Sequence, residues 1–230
     1  MSAPSRPARW LGPVLALVRK DLLTELRTRE VVTAMIVFAV MTLVMFSFAL
    51  RVRAENVRVL APGILWVTLV FAGTLGLNRS LSSEQINQCI DGLLLAPCDR
   101  SVIFVGKALT NVVFTLLVAA LVLPVMAILF DEAIVRPGVW LVVGLGVVGY
   151  SGVGTLIATM AASTRAREVF LPILLFPLAL PLLTAAVIAT AGFVDGLPFA
   201  EFGSWVGALA AFIVIFWTAG TLLFEYLVEG

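Results

Sequence analysis

The sequence predicts an all-α integral membrane protein with six transmembrane helices. Six stretches of 20 or more residues, at 31–50, 59–78, 108–130, 137–164, 169–194 and 202–224, contain no Asp, Glu, Lys, Arg or His. At about 1.5 Å of rise per residue, ~20 apolar residues cross the ~30 Å hydrocarbon core of a bilayer with every backbone polar group paired inside the helix. Hydrophobic residues make up 61% of the chain and charged residues only 13%, against about 25% charged in soluble domains. Because the charges fall almost entirely between the six runs, a soluble helical protein with one apolar core is set aside. One transmembrane domain, residues 1–230, accounts for the whole length, with spans at about 31–50, 59–78, 108–130, 138–163, 169–193 and 203–224.

Charge distribution gives an orientation. Of the 15 Lys and Arg residues, 11 lie in the N-terminal segment and the second and fourth connections, and four lie in the first, third and fifth. The positive-inside rule then places both termini in the cytoplasm. The connection at 51–58 runs against the trend, with three basic residues on the expected outer side.

The first element ahead of the spans is a helix over residues 10–30. Leu11, Leu15, Val18, Leu22 and Leu26 recur at helical spacing, with Lys20, Thr24 and Arg27 on the far side, and Glu25 and Arg29 form an i,i+4 pair. Such a helix suits the cytoplasmic membrane surface. Arg6 and Arg9 before an apolar run resemble a signal peptide, but Pro13 interrupts the run, Arg19-Lys20-Asp21 ends it and no small-x-small cleavage site follows. The segment reads as part of the mature protein.

Between the second and third spans, residues 79–97 form a long polar connection. Ser82 followed by Gln85 has the form of a capping box. Ile86, Ile90, Leu93 and Leu94 share one helix face, and Glu84, Asn87, Gln88 and Asp91 share another, while Gly92 weakens the helix and Pro97 ends it. A short amphipathic helix of this kind suits docking into a nucleotide-binding partner, and equally suits an interfacial helix with no partner. Gly106-Lys107 lacks the rest of a phosphate-binding loop, since Ser101 stands five residues before Gly106 and Ala108 follows the lysine. ATP therefore belongs on another subunit.

In the spans the cues concern packing. Gly203, Gly207 and Ala211 make two small-xxx-small steps in the last span, and Gly146, Gly149 and Gly152 line the fourth. Both suit helix packing inside the chain or at a subunit interface. Pro172, Pro177 and Pro181 should kink the fifth span. With spans drawn at these limits no ionisable side chain lies at membrane depth, which disfavours an ion-coupled transporter or a membrane enzyme. The connection at 192–204, with three Phe beside Asp195 and Glu201, reads either as a short re-entrant element or as a plain loop. Cys89 and Cys98 are too few and too far apart for a redox pair or zinc knuckle, and the chain has no histidine. No basic tract with interleaved aromatics points to nucleic acid.

Four runs carry a resemblance: Lys-Asp-Leu-Leu-Thr-Glu-Leu-Arg-Thr-Arg-Glu at 20–30, Pro-Gly-Ile-Leu-Trp at 62–66, Phe-Ala-Gly-Thr-Leu-Gly-Leu-Asn-Arg at 71–79, and Asp-Gly-Leu-Leu-Leu-Ala-Pro-Cys-Asp-Arg-Ser-Val-Ile-Phe-Val-Gly-Lys at 91–107. They resemble the haem exporter protein B family of cytochrome c maturation, the membrane permease subunit of an ABC-type complex. The likeness covers essentially the whole chain and is densest over 60–130. It implies an ABC-2-type exporter-like fold with an N-terminal interfacial helix, a cytoplasmic coupling helix between spans 2 and 3 and a re-entrant outer element. It also implies a homodimer, a cytoplasmic ABC ATPase partner docking on 79–97 through Glu84, Ile86, Ile90, Asp91, Gly92 and Leu93, a haem-handling membrane subunit and a periplasmic haem chaperone. Many relatives have a more acidic approach to Asp91-Gly92 than the Gln-Ile-Asn-Gln-Cys-Ile of 85–90, so the docking surface departs in polarity. Haem is implied as the transported or handled substrate; with no histidine in the chain, the residues argue for no cofactor bound by this subunit. A permease of another ABC-2-type exporter, moving a lipid or small hydrophobic compound, is the alternative.

The orientation has a direct check. A reporter active only outside the cytoplasm should stay silent when fused at Gly230 and give signal when inserted near Ala133; the reverse pattern overturns the placement of 79–97 on the cytoplasmic side.

Overall fold

The computed structural model describes residues 6–53, 57–86, 100–130, 134–162 and 167–227. They form seven helices: α1 (Arg6–Thr28), α2 (Glu30–Arg53), α3 (Val57–Ile86), α4 (Arg100–Phe130), α5 (Pro137–Ala162), α6 (Arg167–Asp195) and α7 (Phe199–Leu227). The last six are long and apolar enough to cross a membrane, over Glu30–Leu50, Arg58–Asn78, Ser101–Phe130, Pro137–Ala161, Phe170–Asp195 and Phe199–Leu223. Each matches one charge-free run of the sequence. The third differs most: the helix begins at Arg100, so its apolar window takes in Lys107, which the sequence limits had left outside.

Helix α1 stops because Arg29 turns left-handed, with φ of 53°, and its N–H donates to Glu25 O at 2.7 Å. That is the single-bond αL ending of a helix. The Glu25 side chain then reaches past the turn and accepts from the N–H groups of Val31 at 3.3 Å and Val32 at 2.7 Å, donors that the first turn of α2 cannot satisfy internally. A carboxylate at this end also meets the positive end of the α2 dipole. One acidic residue of α1 therefore fixes the elbow into α2.

At the opposite end of the bundle, α6 closes on Gly196, whose φ is 71°, with the Leu197 N–H donating to Gly192 O at 3.0 Å. This is the Schellman arrangement, which places glycine at the left-handed position. Two arginines complete the cap. Arg136 Nη1 donates to Phe193 O at 2.8 Å and Arg58 Nη2 to Val194 O at 2.7 Å, and Arg58 Nε lies 3.2 Å from Asp195 Oδ1. Only residues 196–198 separate α6 from α7, so the chain reverses within 192–204 by a tight turn between two helices.

Helix α5 is the centre of the bundle. Of its spanning window 78% is buried, against 11% for α7 and 22% for α2, and it packs on α3, α4, α6 and α7. Its glycines make this possible: Trp66 of α3 lies in the position a Cβ on Gly146 would need, and Leu182 and Trp217 do the same at Gly149 and Gly152. Small residues let helices approach closely where lipid supplies no hydrophobic drive. The rings that enter also satisfy their polar atoms. Trp66 Nε1 donates to Thr190 Oγ1 at 3.0 Å, and Trp217 Nε1 to Val148 O at 3.0 Å. Helix α6 runs without interruption through Pro172, Pro177 and Pro181, the last two on its exposed face.

Gly146→Val would drive the Trp66 ring out of its slot, a clash expected to cost about 1–3 kcal/mol. Nothing lies within 4 Å of a Cβ at Gly144, so Gly144→Val should be tolerated. Thermal unfolding of both variants in detergent checks the pair; equal midpoints would show that the Trp66 notch is not tight.

Candidate functional site

The sequence placed the docking surface on Glu84, Ile86, Ile90, Asp91, Gly92 and Leu93. Glu84 and Ile86 fall in the last turns of α3, which runs through Ser82 and Gln85 without a break, so the Ser82 capping box does not start a new helix. Ile90, Asp91, Gly92 and Leu93 lie outside the described residues. What the structure does define is the ground on either side of that segment, where α3 ends and α4 begins.

Helix α1 is laid against the first turns of α4. Of its expected stripe, Leu11, Leu15 and Leu26 are 62–70% exposed, while Val18 is half-buried and Leu22 packs against the main core. The face turned to the bundle is Val14, Leu17, Asp21 and Glu25, three to four residues apart. Leu17 fits against Gly106, and Val14 packs with Val102, Phe104, Val105 and Leu156 in a small cluster of its own. Phe104 in turn occupies the notch at Gly220 of α7.

Inside that contact lies an ion pair. Lys107 Nζ is 2.7 Å from Asp21 Oδ2, with side chains 8% and 11% exposed. Thr110 Oγ1 approaches the same oxygen at 3.4 Å while donating to Gly106 O at 3.0 Å, and Lys20 Nζ, half exposed, stands 3.3 Å from Asp21 Oδ1. Desolvating two charges costs several kcal/mol each, which close geometry and added hydrogen bonds offset. The pair therefore specifies where α1 sits on α4 more than it adds net stability.

Deeper in the bundle a polar seam joins α3, α4 and α5. Tyr150 OH donates to Val70 O at 3.0 Å and is 2.6 Å from Thr74 Oγ1, which is itself 2.8 Å from Val70 O. Two hydroxyl protons thus serve three short contacts. One step toward the α1 end, Asn111 Nδ2 donates to Ser151 Oγ at 3.1 Å. Among the described residues, Asn111 Oδ1, Thr115 Oγ1 and Thr155 Oγ1 are buried without a hydrogen-bond partner. Interhelical hydrogen bonds in membranes contribute only about 0.6 kcal/mol on average, so the seam orients the helices without locking them.

The small-residue stripe of α7 faces away from the rest of the chain. Gly207 has no neighbour within 4 Å of a Cβ position, the nearest side chain to Gly203 is Phe199 of the same helix, and Ala211 is exposed. Packing within the chain falls to Phe202, Leu209, Trp217 and Gly220 on the other side of α7. Sequence reading had counted Gly203, Gly207 and Ala211 as helix-packing residues; inside this chain they are not.

Asp21, Glu25 and Lys107 are the residues that sequence reasoning missed. The available signal was a lone lysine at the edge of an apolar run, which demands a buried partner, and two carboxylates four apart on α1. Removing one member of the pair should cost about 3–5 kcal/mol, whereas replacing both with apolar residues is close to neutral. Lys107→Met should therefore melt well below the parent protein, and Asp21→Leu combined with Lys107→Met should recover most of the loss. A double variant no better than the single one would mean that the pair is not what joins α1 to α4.

Residues 13–223 match the family described as CcmB protein. The chain is 25% identical over 198 residues to heme exporter protein B of Pseudomonas aeruginosa, covering 86% of this chain and 88% of that one. It is 28% identical over 171 residues to heme exporter protein B of Rhodobacter capsulatus, covering 73% and 78%, and 24% identical over 182 residues to that of Bradyrhizobium diazoefficiens, covering 79% and 82%. The family match runs from within α1 to the last span and includes all six apolar helices. The chain belongs to the CcmB protein family and is a multi-pass membrane protein.

Proposed function

We propose that this chain is the permease subunit of an ABC-type haem exporter complex of cytochrome c maturation. The observation that carries the reading is the family match over 13–223 together with relatives named heme exporter protein B along most of their length. ATP is hydrolysed on a cytoplasmic ABC ATPase subunit, and the movement serves either haem transport or release of a haem-loaded periplasmic chaperone from a haem-handling membrane subunit. Both termini face the cytoplasm of the inner membrane. The chain works as a homodimer and contributes movement rather than a catalytic group.

In this reading residues 79–97 seat in a groove of the ATPase. A push there acts directly on the start of α4, and the Lys107–Asp21 pair hands it to α1. The Glu25 cap on Val31 and Val32 passes it to α2. Three helices, α4, α1 and α2, are thus linked in series from the proposed docking segment. The outward stripe of Gly203, Gly207 and Ala211 suits contact with another membrane subunit, where small residues permit close approach.

Burial of a large apolar side chain contributes roughly 1.5–3 kcal/mol, and an exposed ion pair about 0–1 kcal/mol. Ile86, Ile90 and Leu93 should therefore dominate affinity for the ATPase, with Glu84 and Asp91 setting orientation and Gly92 allowing the chain to turn away. Ile90→Asp should abolish recovery of the ATPase with the membrane fraction and block cytochrome c maturation, while Glu84→Gln should have a mild effect, with insertion of each variant verified by its abundance in membranes. Unchanged ATPase co-purification with Ile90→Asp in detergent would sink the docking assignment. Failure of a haem-handling partner to co-purify with the intact complex would favour an exporter of another hydrophobic compound.

A further inference from the structure

The elbow between α1 and α2 is flanked by two grooves that share Arg29 and Thr33. On one side a cavity of about 500 Å³ is lined by Thr28, Arg29 and Glu30 at its rim and by Phe38, Met41 and Leu75 below. On the other, a cavity of about 210 Å³ is lined by Arg29 with Leu22, Leu26 and Phe114. Both walls are mainly apolar and both open outward. Arg29 immediately precedes the spanning window Glu30–Leu50, which puts its guanidinium at the level where an apolar helix leaves hydrocarbon and lipid phosphates begin.

Two features of Arg29 call for an explanation beyond packing. Its backbone is left-handed, with φ of 53°, a conformation that costs a non-glycine residue roughly 1–2 kcal/mol and for which glycine is the usual choice at the end of a helix. Its side chain is exposed and makes no ion pair or hydrogen bond among the described residues. The nearby carboxylate of Glu25 is turned inward to the Val31 and Val32 N–H groups. A cation is thus held at the mouth of two apolar grooves on strained backbone, with its donors unused.

We propose that a phospholipid of the surrounding bilayer binds at this elbow, with its phosphate on the Arg29 guanidinium and an acyl chain in the groove along α2 past Phe38 and Met41. Charge complementarity selects a lipid over a second copy of the chain as the occupant: guanidinium and phosphate match in paired N–H···O geometry, and basic residues at the membrane surface attract lipid phosphates. The site holds whichever cargo the protein moves. A lipid wedged there ties the elbow to the plane of the bilayer, so that α1, pulled through the Lys107–Asp21 pair, moves against a fixed point.

The test is native mass spectrometry of the purified full chain, delipidated in mild detergent and titrated with dioleoyl phosphatidylethanolamine or with dioleoylglycerol, which has the same chains and no phosphate. The expected result is saturable binding of about one phosphatidylethanolamine per chain, at least tenfold tighter than dioleoylglycerol, the gain expected of charge-assisted contacts. Arg29→Gly removes the charge while relieving the left-handed backbone, so it should melt no lower than the parent protein yet bind the phospholipid about tenfold more weakly. Met41→Trp leaves the charge and fills the groove, and should weaken both lipids. Arg27→Gln, which removes an exposed cation of α1 that lines neither cavity, should change binding less than twofold. Equal affinity of Arg29→Gly and the parent for phosphatidylethanolamine, or equal affinity of the parent for the two lipids, would overturn the proposal. So would efficient disulfide formation between two copies of Val37→Cys in native membranes, which would assign the groove to a dimer seam.

Discussion

Inside a bilayer the peptide groups have no water to turn to, and an unpaired one costs several kcal/mol. Six helices satisfy that condition along their lengths and transfer the whole difficulty to their ends. The ends of this protein are accordingly where its charged side chains are used. Glu25 answers the first N–H groups of α2, and Arg58 and Arg136 answer the last carbonyls of α6. A helix dipole gives each the appropriate sign, with the carboxylate at an N-terminus and the guanidinium groups at a C-terminus. The arginines also explain a charge distribution that otherwise runs against orientation rules: Arg58 and Arg136, two of the four basic residues at the expected outer end, serve as caps.

With the ends satisfied, the interior is assembled by shape. Apolar helices gain little from leaving lipid for one another, so close approach and a few polar bonds decide which faces meet. Helix α5 is built for that purpose, with glycines at 146, 149 and 152 admitting Trp66, Leu182 and Trp217 from three neighbours. The hydroxyl and amide seam of Thr74, Tyr150, Asn111 and Ser151 adds direction at modest strength. A bundle held in this way is defined by its packing, with polar bonds that orient the helices without locking them.

Helix α1 is attached on a different principle. It rests on α4 by one small apolar cluster and a nearly buried Lys107–Asp21 pair. An ion pair in such a place is unforgiving of a missing partner and indifferent, energetically, to replacement by two apolar groups. Its effect is positional: it allows one seat for α1. The strained Arg29 and the Glu25 cap then fix the angle at which α1 enters α2. Two acidic residues four apart on one helix thus perform two distinct tasks, one holding a neighbouring helix and the other starting the next.

The sequence by itself determined the number of spans, their order and nearly all their limits, because hydrocarbon excludes charge and each crossing needs a minimum length; the 31–50 run and the Glu30–Leu50 span are the same feature seen twice. It also showed the helix before the first span and the family likeness over the 62–66 and 91–107 runs. It started the third span after the lysine at 107, whereas the helix itself begins at Arg100, and only the tertiary structure supplies Asp21, 86 residues away, as the partner of that lysine. It read Leu11, Leu15, Val18, Leu22 and Leu26 as a stripe for the membrane surface, and Leu11, Leu15 and Leu26 do face outward, but it did not show that Val14, Leu17, Asp21 and Glu25 face the bundle. It gave Gly203, Gly207 and Ala211 a spacing for packing without a partner, and the structure turned them outward. In each case the pattern along one helix was legible, since periodicity is local. Which face meets protein and which meets lipid was not, since both are apolar and only the three-dimensional arrangement of the other helices distinguishes them.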